Sequence, residues 1–193
     1  MIDNYFDSEA FVKLDFTKTK IKKGEYDNCT FTNCNFENIH ASNIQFIECD
    51  FINCNFSNTT IKNTAFKNVN FKNCKLIGVK FHEVDTFLLQ FFFTDCQLNY
   101  ASFYQLKIPN TIFENCNLQE ADFTETVLLN SKFDNCDLSK TVFDRTNLEN
   151  VNFSSAYNFS INPEENKLKG ATFNKNNVVG LLSKYEIIIE WNF

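Results

Sequence analysis

Eight cysteines, two histidines and 24 acidic residues are the groups in this chain that could do chemistry. The cysteines, Cys29, Cys34, Cys49, Cys54, Cys74, Cys96, Cys116 and Cys136, would suit a disulfide framework or a thiolate metal site. Their spacings, dominated by five and twenty residues, miss the C-x-x-C pattern of zinc and redox sites. Each instead precedes a large apolar residue by two, as Cys34 precedes Phe36 and Cys136 precedes Leu138. In extended chain, residues two apart share a side, so the thiols are expected to point inward as small hydrophobes. His40 and His82 lie in no motif, and Gly24, Gly78, Gly170 and Gly180 are isolated, which leaves no phosphate-cradling loop. The carboxylates are scattered with no cleft to perturb them. We expect no enzyme, no metal and no cofactor.

Charge is more informative. Between residues 114 and 165 ten acidic residues face three basic ones, and the remainder of the chain nets close to neutral. Glu114, Glu120, Asp122, Glu125, Asp134, Asp137, Asp144 and Glu149 form a candidate acidic surface that would repel nucleic acid and attract a basic groove. Twenty-residue spacing predicts cross-coil pairs Glu120 with Lys140 and Glu125 with Arg145, whereas Glu114 and Asp134 stack like on like and hint at an outside partner.

The elements that must position these groups come from one period. A large apolar residue returns every fifth position from Phe31 to Phe81 and, two residues out of step, from Phe93 to Phe133. Neither a helix nor a single strand has that period, so the chain reads as a solenoid of five-residue units. Asn recurs two residues after the large one, at Asn28, Asn33, Asn38, Asn43, Asn53, Asn58, Asn63, Asn68 and Asn73, where its tolerance of left-handed backbone suits a corner. Four corners close a coil of twenty residues. A column then follows through Phe11, Phe31, Phe51, Phe71, Phe91 or Phe93, Phe113, Phe133, Phe153 and Phe173, about 40 Å long at strand spacing.

The period fails in two places. Near residues 82–92 it slips by two, with the insertion expected around 82–87. Phe87, Phe92, Tyr100 and Tyr104 there fall on outward positions, either as an aromatic contact patch or folded under the bulge. Beyond Phe153 it lapses through an expected side loop at 154–167. A short helix is expected around Val178–Leu182, then a half-buried strand from Tyr185 to Trp191. The chain divides into a solenoid over 1–175 and a terminal module over 176–193 that caps its own rod or crosses to a second one. With no basic, apolar leader after Met1 and no membrane-length apolar run, a cytoplasmic protein without membrane contact is expected.

Stretches such as Cys34-Asn35-Phe36-Glu37-Asn38, Ala121-Asp122-Phe123-Thr124-Glu125 and Cys136-Asp137-Leu138-Ser139-Lys140 resemble the unit of the pentapeptide-repeat proteins. That resemblance implies an all-β fold, a right-handed quadrilateral β-helix. The run from Ile161 to Phe173, with Gly180-Leu181-Leu182 and Ile187-Ile188-Ile189, is similar to the C-terminal module of the family's Qnr-like quinolone-resistance branch. The branch implies a homodimer through Leu181, Leu182, Tyr185, Ile187, Ile189 and Trp191, and a rod that imitates duplex DNA, binds DNA gyrase or topoisomerase IV and protects it from quinolones. It implies no direct nucleic-acid binding. The alternative is a structural or adaptor solenoid that holds another protein on a flat face or on the aromatic patch.

Overall fold

The computed structural model describes residues 4–188 and 190. Short parallel strands stack coil on coil: Tyr5–Asp7 (β1), Ala10–Val12 (β2), Glu25–Asp27 (β3), Thr30–Thr32 (β4), Gln45–Ile47 (β5), Asp50–Ile52 (β6), Ala65–Lys67 (β7), Val69–Lys72 (β8), Phe91–Thr94 (β9), Ile112–Glu114 (β10) and Lys132–Asp134 (β11). One sheet runs β1-β3-β5-β7; the other runs β11-β10-β9-β8-β6-β4-β2. Pairing steps by twenty residues, as in Phe31↔Phe51 and Phe113↔Phe133, and isolated bridges such as Asn35↔Asn55 and Ser102↔Asp122 carry the same step round the other two sides. The result is a four-sided parallel β-helix. We number its faces by their inward residues in the early coils: first Phe6, Tyr26 and Phe46; second Phe11, Phe31 and Phe51; third Phe16, Phe36 and Phe56; fourth Ile21, Ala41 and Ile61.

The aromatic column runs unbroken through Phe93 on the second face. Neighbouring ring centroids lie 4.7 Å apart at Phe11 and Phe31, 5.4 Å at Phe71 and Phe93, and 5.3 Å at Phe153 and Phe173. Rings on adjacent faces meet edge-on, as Phe113 and Phe123 do at 85°. Most rings of the column therefore have stacked partners along the rod and edge partners across it, the two arrangements the aromatic quadrupole favours.

The corners follow the expected chemistry. All nine corner asparagines from Asn28 to Asn73 have φ between 50° and 59°. Gly78 takes the same role at φ 69°, where an added Cβ would lie 2.7 Å from Asn58 Oδ1. Later corners use residues that tolerate this conformation less well, including Tyr100, Gln105, Glu120, Glu125, Lys140 and Arg145.

Two expectations about the breaks need correction. The slip lies within 82–92 but toward the late side of 82–87: Ala65 still bridges Asp85 at a step of twenty while Val69 pairs Phe91 at twenty-two, so the two extra residues belong to the loop between Asp85 and Phe91. Pairing within the coil fixes everything up to Asp85, and only the exposed corner can absorb length. The stretch 154–167 does not leave the rod as a side loop, because Asp137 bridges Tyr157 and Asn147 bridges Lys167. Its coherence comes from Asn166, whose buried amide accepts from Thr146 N (2.9 Å) and donates to Phe143 O (3.0 Å) and Asn162 O (2.9 Å).

Beyond the last coil the expected short helix is a 3₁₀ helix over Val178–Leu181, and a second 3₁₀ turn, Ser183–Tyr185, stands where the strand was expected to begin. Tyr185, Ile187 and Ile188 are exposed, so the expected strand alternation from Tyr185 is absent among the described residues, while Ile189 and Trp191 lie outside them. The first turn is a lid on the solenoid. Gly180 sits against the Phe159 ring, with no room for a Cβ, and Asn177 Nδ2 donates to Phe153 O (2.8 Å) and Ala156 O (2.9 Å). Those carbonyls would otherwise point off an open end.

Candidate functional site

Small inward positions between the Phe rows are filled by Cys, Thr, Ser, Ala and Val, and the polar ones share one bond. Cys49 Sγ donates to Tyr26 O (3.2 Å) and Cys96 Sγ to Phe71 O (3.3 Å), as Thr126 Oγ1 does to Phe103 O (2.8 Å) and Thr146 Oγ1 to Phe123 O (2.9 Å). Thiol and hydroxyl are interchangeable here because each is small and carries one donor for a carbonyl of the coil below. All eight cysteines are free and buried. Burial pushes the Cys29 and Cys116 thiols up and takes Cys49 to about 12, so these are poor nucleophiles. The interchange of Cys with Thr at one offset was the sequence signal for this ladder, and burial alone did not reveal it.

Function must therefore be sought on the outward faces. The candidate carboxylates do not form one stripe. Glu114 and Asp134 are on the second face and Asp137 on the third, Asp122 and Asp144 are on the fourth, Glu149 is on the first, and Glu120 and Glu125 are at the corners flanking the fourth. They encircle the C-terminal half of the rod.

Several are also engaged locally. Asp122 Oδ1 accepts Thr124 N (2.9 Å) and Asp137 Oδ1 accepts Ser139 N (3.0 Å), each closing a turn. The predicted pairs form, with Lys140 Nζ 3.8 Å from Glu120 and Arg145 3.0 Å from Glu125. Bonds from Gln105, with the Arg145 charge, hold the Glu125 carboxyl below its ordinary range. The stacking of Glu114 on Asp134 is not left unrelieved: Lys132 Nζ sits 2.5 Å from Asp134, Ser155 Oγ donates to it at 2.5 Å, and both depress its pKa. Sequence spacing put like over like, but Lys132, two residues away on the same strand, reaches across.

The four candidate aromatics are dispersed rather than gathered. Phe87 is exposed in the slip loop with Lys67 Nζ 5.7 Å above its ring; Phe92 is half-buried on the second face between Asn70 and Ile112. Tyr100 is at a corner, and Tyr104 on the fourth face has His82 edge-on at 6.2 Å. The loop does not fold over Phe87, which keeps 66% of its surface. Phe92 instead shares a groove of about 300 Å³ with Asp50, Ile52, Asn70, Lys72 and Thr94. Of the candidate dimer residues, Leu181 packs on the core, while Leu182, Tyr185 and Ile187 are exposed; Tyr185 Oη donates to Glu164 (2.8 Å), which also pairs with Lys184. Among the described residues no helix is long and apolar enough to cross a membrane.

The family model for the pentapeptide repeat region matches residues 25–103 and 106–181. No curated protein matches the sequence. Among solved structures, a trypsin-treated form of QnrB1, a plasmid-mediated fluoroquinolone resistance protein, superposes with a TM-score of 0.73 at 14% identity, covering 97% of this chain and 92% of that one. Full-length QnrB1 gives 0.58 at 16% identity, covering 95% and 100%. At these identities the likeness is one of fold.

Proposed function

The chain belongs to the pentapeptide-repeat family, a right-handed quadrilateral β-helix, and on that footing we propose that it is a non-enzymatic protein-binding rod whose target is a type II topoisomerase. The observation that carries this reading is the ring of carboxylates round the C-terminal half. Glu114, Asp137, Asp144 and Glu149 occupy four different faces, so the negative field surrounds a cylinder instead of marking one side. A flat partner would meet only a quarter of that charge. A basic saddle built to clasp duplex DNA would meet most of it, since complementary potentials steer and orient such encounters. The likeness to the QnrB1 fold supports the same partner, DNA gyrase or topoisomerase IV, with protection from quinolones as the consequence. Exposed Leu182, Tyr185 and Ile187 at the capped end are the surface through which two rods would join in this reading.

A supercoiling assay with gyrase, ciprofloxacin and the purified protein tests it. Restored supercoiling, or inhibition at high protein, is expected; neither effect over a wide concentration range would remove the topoisomerase. The second reading, an adaptor, is favoured by one feature, the groove on the second face where Ile52 and Phe92 lie beside Asp50 and Lys72. A partner there would dock across strands β6, β8 and β9 and would be insensitive to the C-terminal carboxylates.

A further inference from the structure

Beyond Asp144, which the topoisomerase reading already uses, the fourth face carries a charge polarity along its length that this reading leaves unexplained. Following its outward positions and the corner after it, the first four coils present Lys20, Lys22, Lys23, Lys62 and Lys80, with Glu83 the one carboxylate. His40 lies among them, exposed. The later coils present Asp122, Glu125 and Asp144, and the exposed turn at 163–165 that follows the last bridge of this face adds Glu164 and Glu165. Their basic neighbours are Arg145, which pairs with Glu125 and Asp144, and Lys184, which pairs with Glu164. The corner on the other side does not blur this division, since Lys18 is paired with Asp15 in the basic half and Glu120 and Lys140 offset each other in the acidic half. Between the halves sits one coil without charge, holding Ser102, Tyr104 and Gln105.

From the Lys80 coil to the Asp144 coil the face is flat and bridged, whereas at its N-terminal end Lys20, Lys23 and His40 line a pocket of about 380 Å³. In the later coils stacked rings are nearly parallel, 2° between Phe103 and Phe123 and 5° between Phe123 and Phe143, so successive coils barely rotate and the outward rows stay in line.

We propose that this face binds a second copy of the chain side by side and antiparallel. A two-fold axis between the Lys80 coil and the Ser102 coil sets Lys20, Lys22 and Lys23 opposite Glu164 and Glu165 of the other copy. It sets His40 opposite Asp144, and Lys62 opposite Asp122 and Glu125. Near the axis Tyr104 meets the Lys80 and His82 coil, which supplies the aromatic centre that interfaces concentrate in a few residues. Such a contact is isologous, so each favourable charge pairing occurs twice. Parallel pairing would set lysines on lysines, and moving the axis by one coil would leave two charged coils overhanging, those of Lys20 and His40 in one direction or those of Asp144 and Glu164 in the other. A face about 15 Å wide and about 38 Å long buries about 600 Å² per copy. That sits at the lower edge of specific interfaces, so the dimer is weak and governed by salt. The inference does not depend on the topoisomerase reading, and the end-to-end joint at the terminal turns is a separate surface.

Sedimentation of the full chain at about 100 µM tests it, with the mass in about 25 mM salt expected to be twice that in about 500 mM, whichever state the end-to-end joint sets. Lys20→Glu/Lys62→Glu cancels the positive charge of the first four coils, and Glu125→Lys/Glu165→Lys cancels the negative charge of the acidic half. Each alone should weaken dimerisation at least about tenfold, and an equimolar mixture should pair again. Recovery in the mixture also shows that both variants are folded. Carbodiimide crosslinking of isotope-labelled with unlabelled copies should join Lys62 to Asp122 or Glu125 between chains. A mass that does not rise in low salt, or a low-salt rise that both variants leave intact, overturns the proposal.

Discussion

Replacing Phe113 with alanine opens a cavity at the point where the rod has most to lose. The ring is fully buried, stacked between Phe93 (5.2 Å, 6°) and Phe133 (4.9 Å, 3°), with Phe103 and Phe123 edge-on at 5.8 and 5.7 Å. Removing a phenyl ring from a packed core costs about 3–5 kcal/mol, more where the site cannot collapse. Collapse is blocked here because the backbone on both sides is held in register, Ile112 opposite Phe92 in one coil and Lys132 in the next. We therefore expect about 4–5 kcal/mol. Phe173, at the end of the same column, is half-buried and stacks on Phe153 alone, with Phe159 tilted beside it, so Phe173→Ala should cost about 1–2 kcal/mol. Urea unfolding followed by circular dichroism reads both. A loss under about 1 kcal/mol for Phe113→Ala, or a loss at Phe173 as large as at Phe113, would refute the account of a column whose stability is shared between neighbouring coils.

Other expectations follow from corners, thiols and carboxylates. Tyr100 holds φ 59° with its side chain exposed, so Tyr100→Asn should raise stability by up to about 1 kcal/mol, read as a higher melting temperature. The eight thiols should resist a disulfide reagent in the native rod and react fully in denaturant; rapid native labelling would contradict their burial. Acid should destabilise the rod in a defined window. Asp15, bonded to Thr17 and Lys18, is held at about 2 against an ordinary 3.8, and Glu125, Asp134 and Glu164 are also depressed. A depressed carboxyl stabilises the folded state above its unfolded range and loses that contribution as pH falls through its folded value. Melting temperature should therefore fall between about pH 4.5 and about pH 2, and a flat profile there would count against these contacts.

The fold was legible because one period fixes both what points inward and where the chain turns. Phe31, Cys34 and Asn38 each declare a place in the coil, and Phe93 rather than Phe91 was the sole ambiguity in the column. The breaks were harder to place. Pairing of Asp85 with Ala65, not residue type, fixes where the two extra residues go, and Asn166 looked like loop until its amide proved to fill an inward position. The surface was least legible, since spacing alone cannot fold a Lys132 side chain onto Asp134 or disperse Phe87, Phe92, Tyr100 and Tyr104 round a rod. What spacing did hold, once the faces were numbered, is which charges share a side.

The central functional claim, that the acidic half of this rod occupies a DNA-binding saddle, is tested most directly by competition. Gyrase bound to labelled duplex DNA is titrated with the protein and, in parallel, with a variant carrying Glu114→Gln, Asp144→Asn and Glu149→Gln. The rod should displace the duplex, and the variant, stripped of charge on three faces, should need at least about tenfold more protein to do so. Binding to gyrase that leaves the duplex in place, or displacement equal for both proteins, would contradict it.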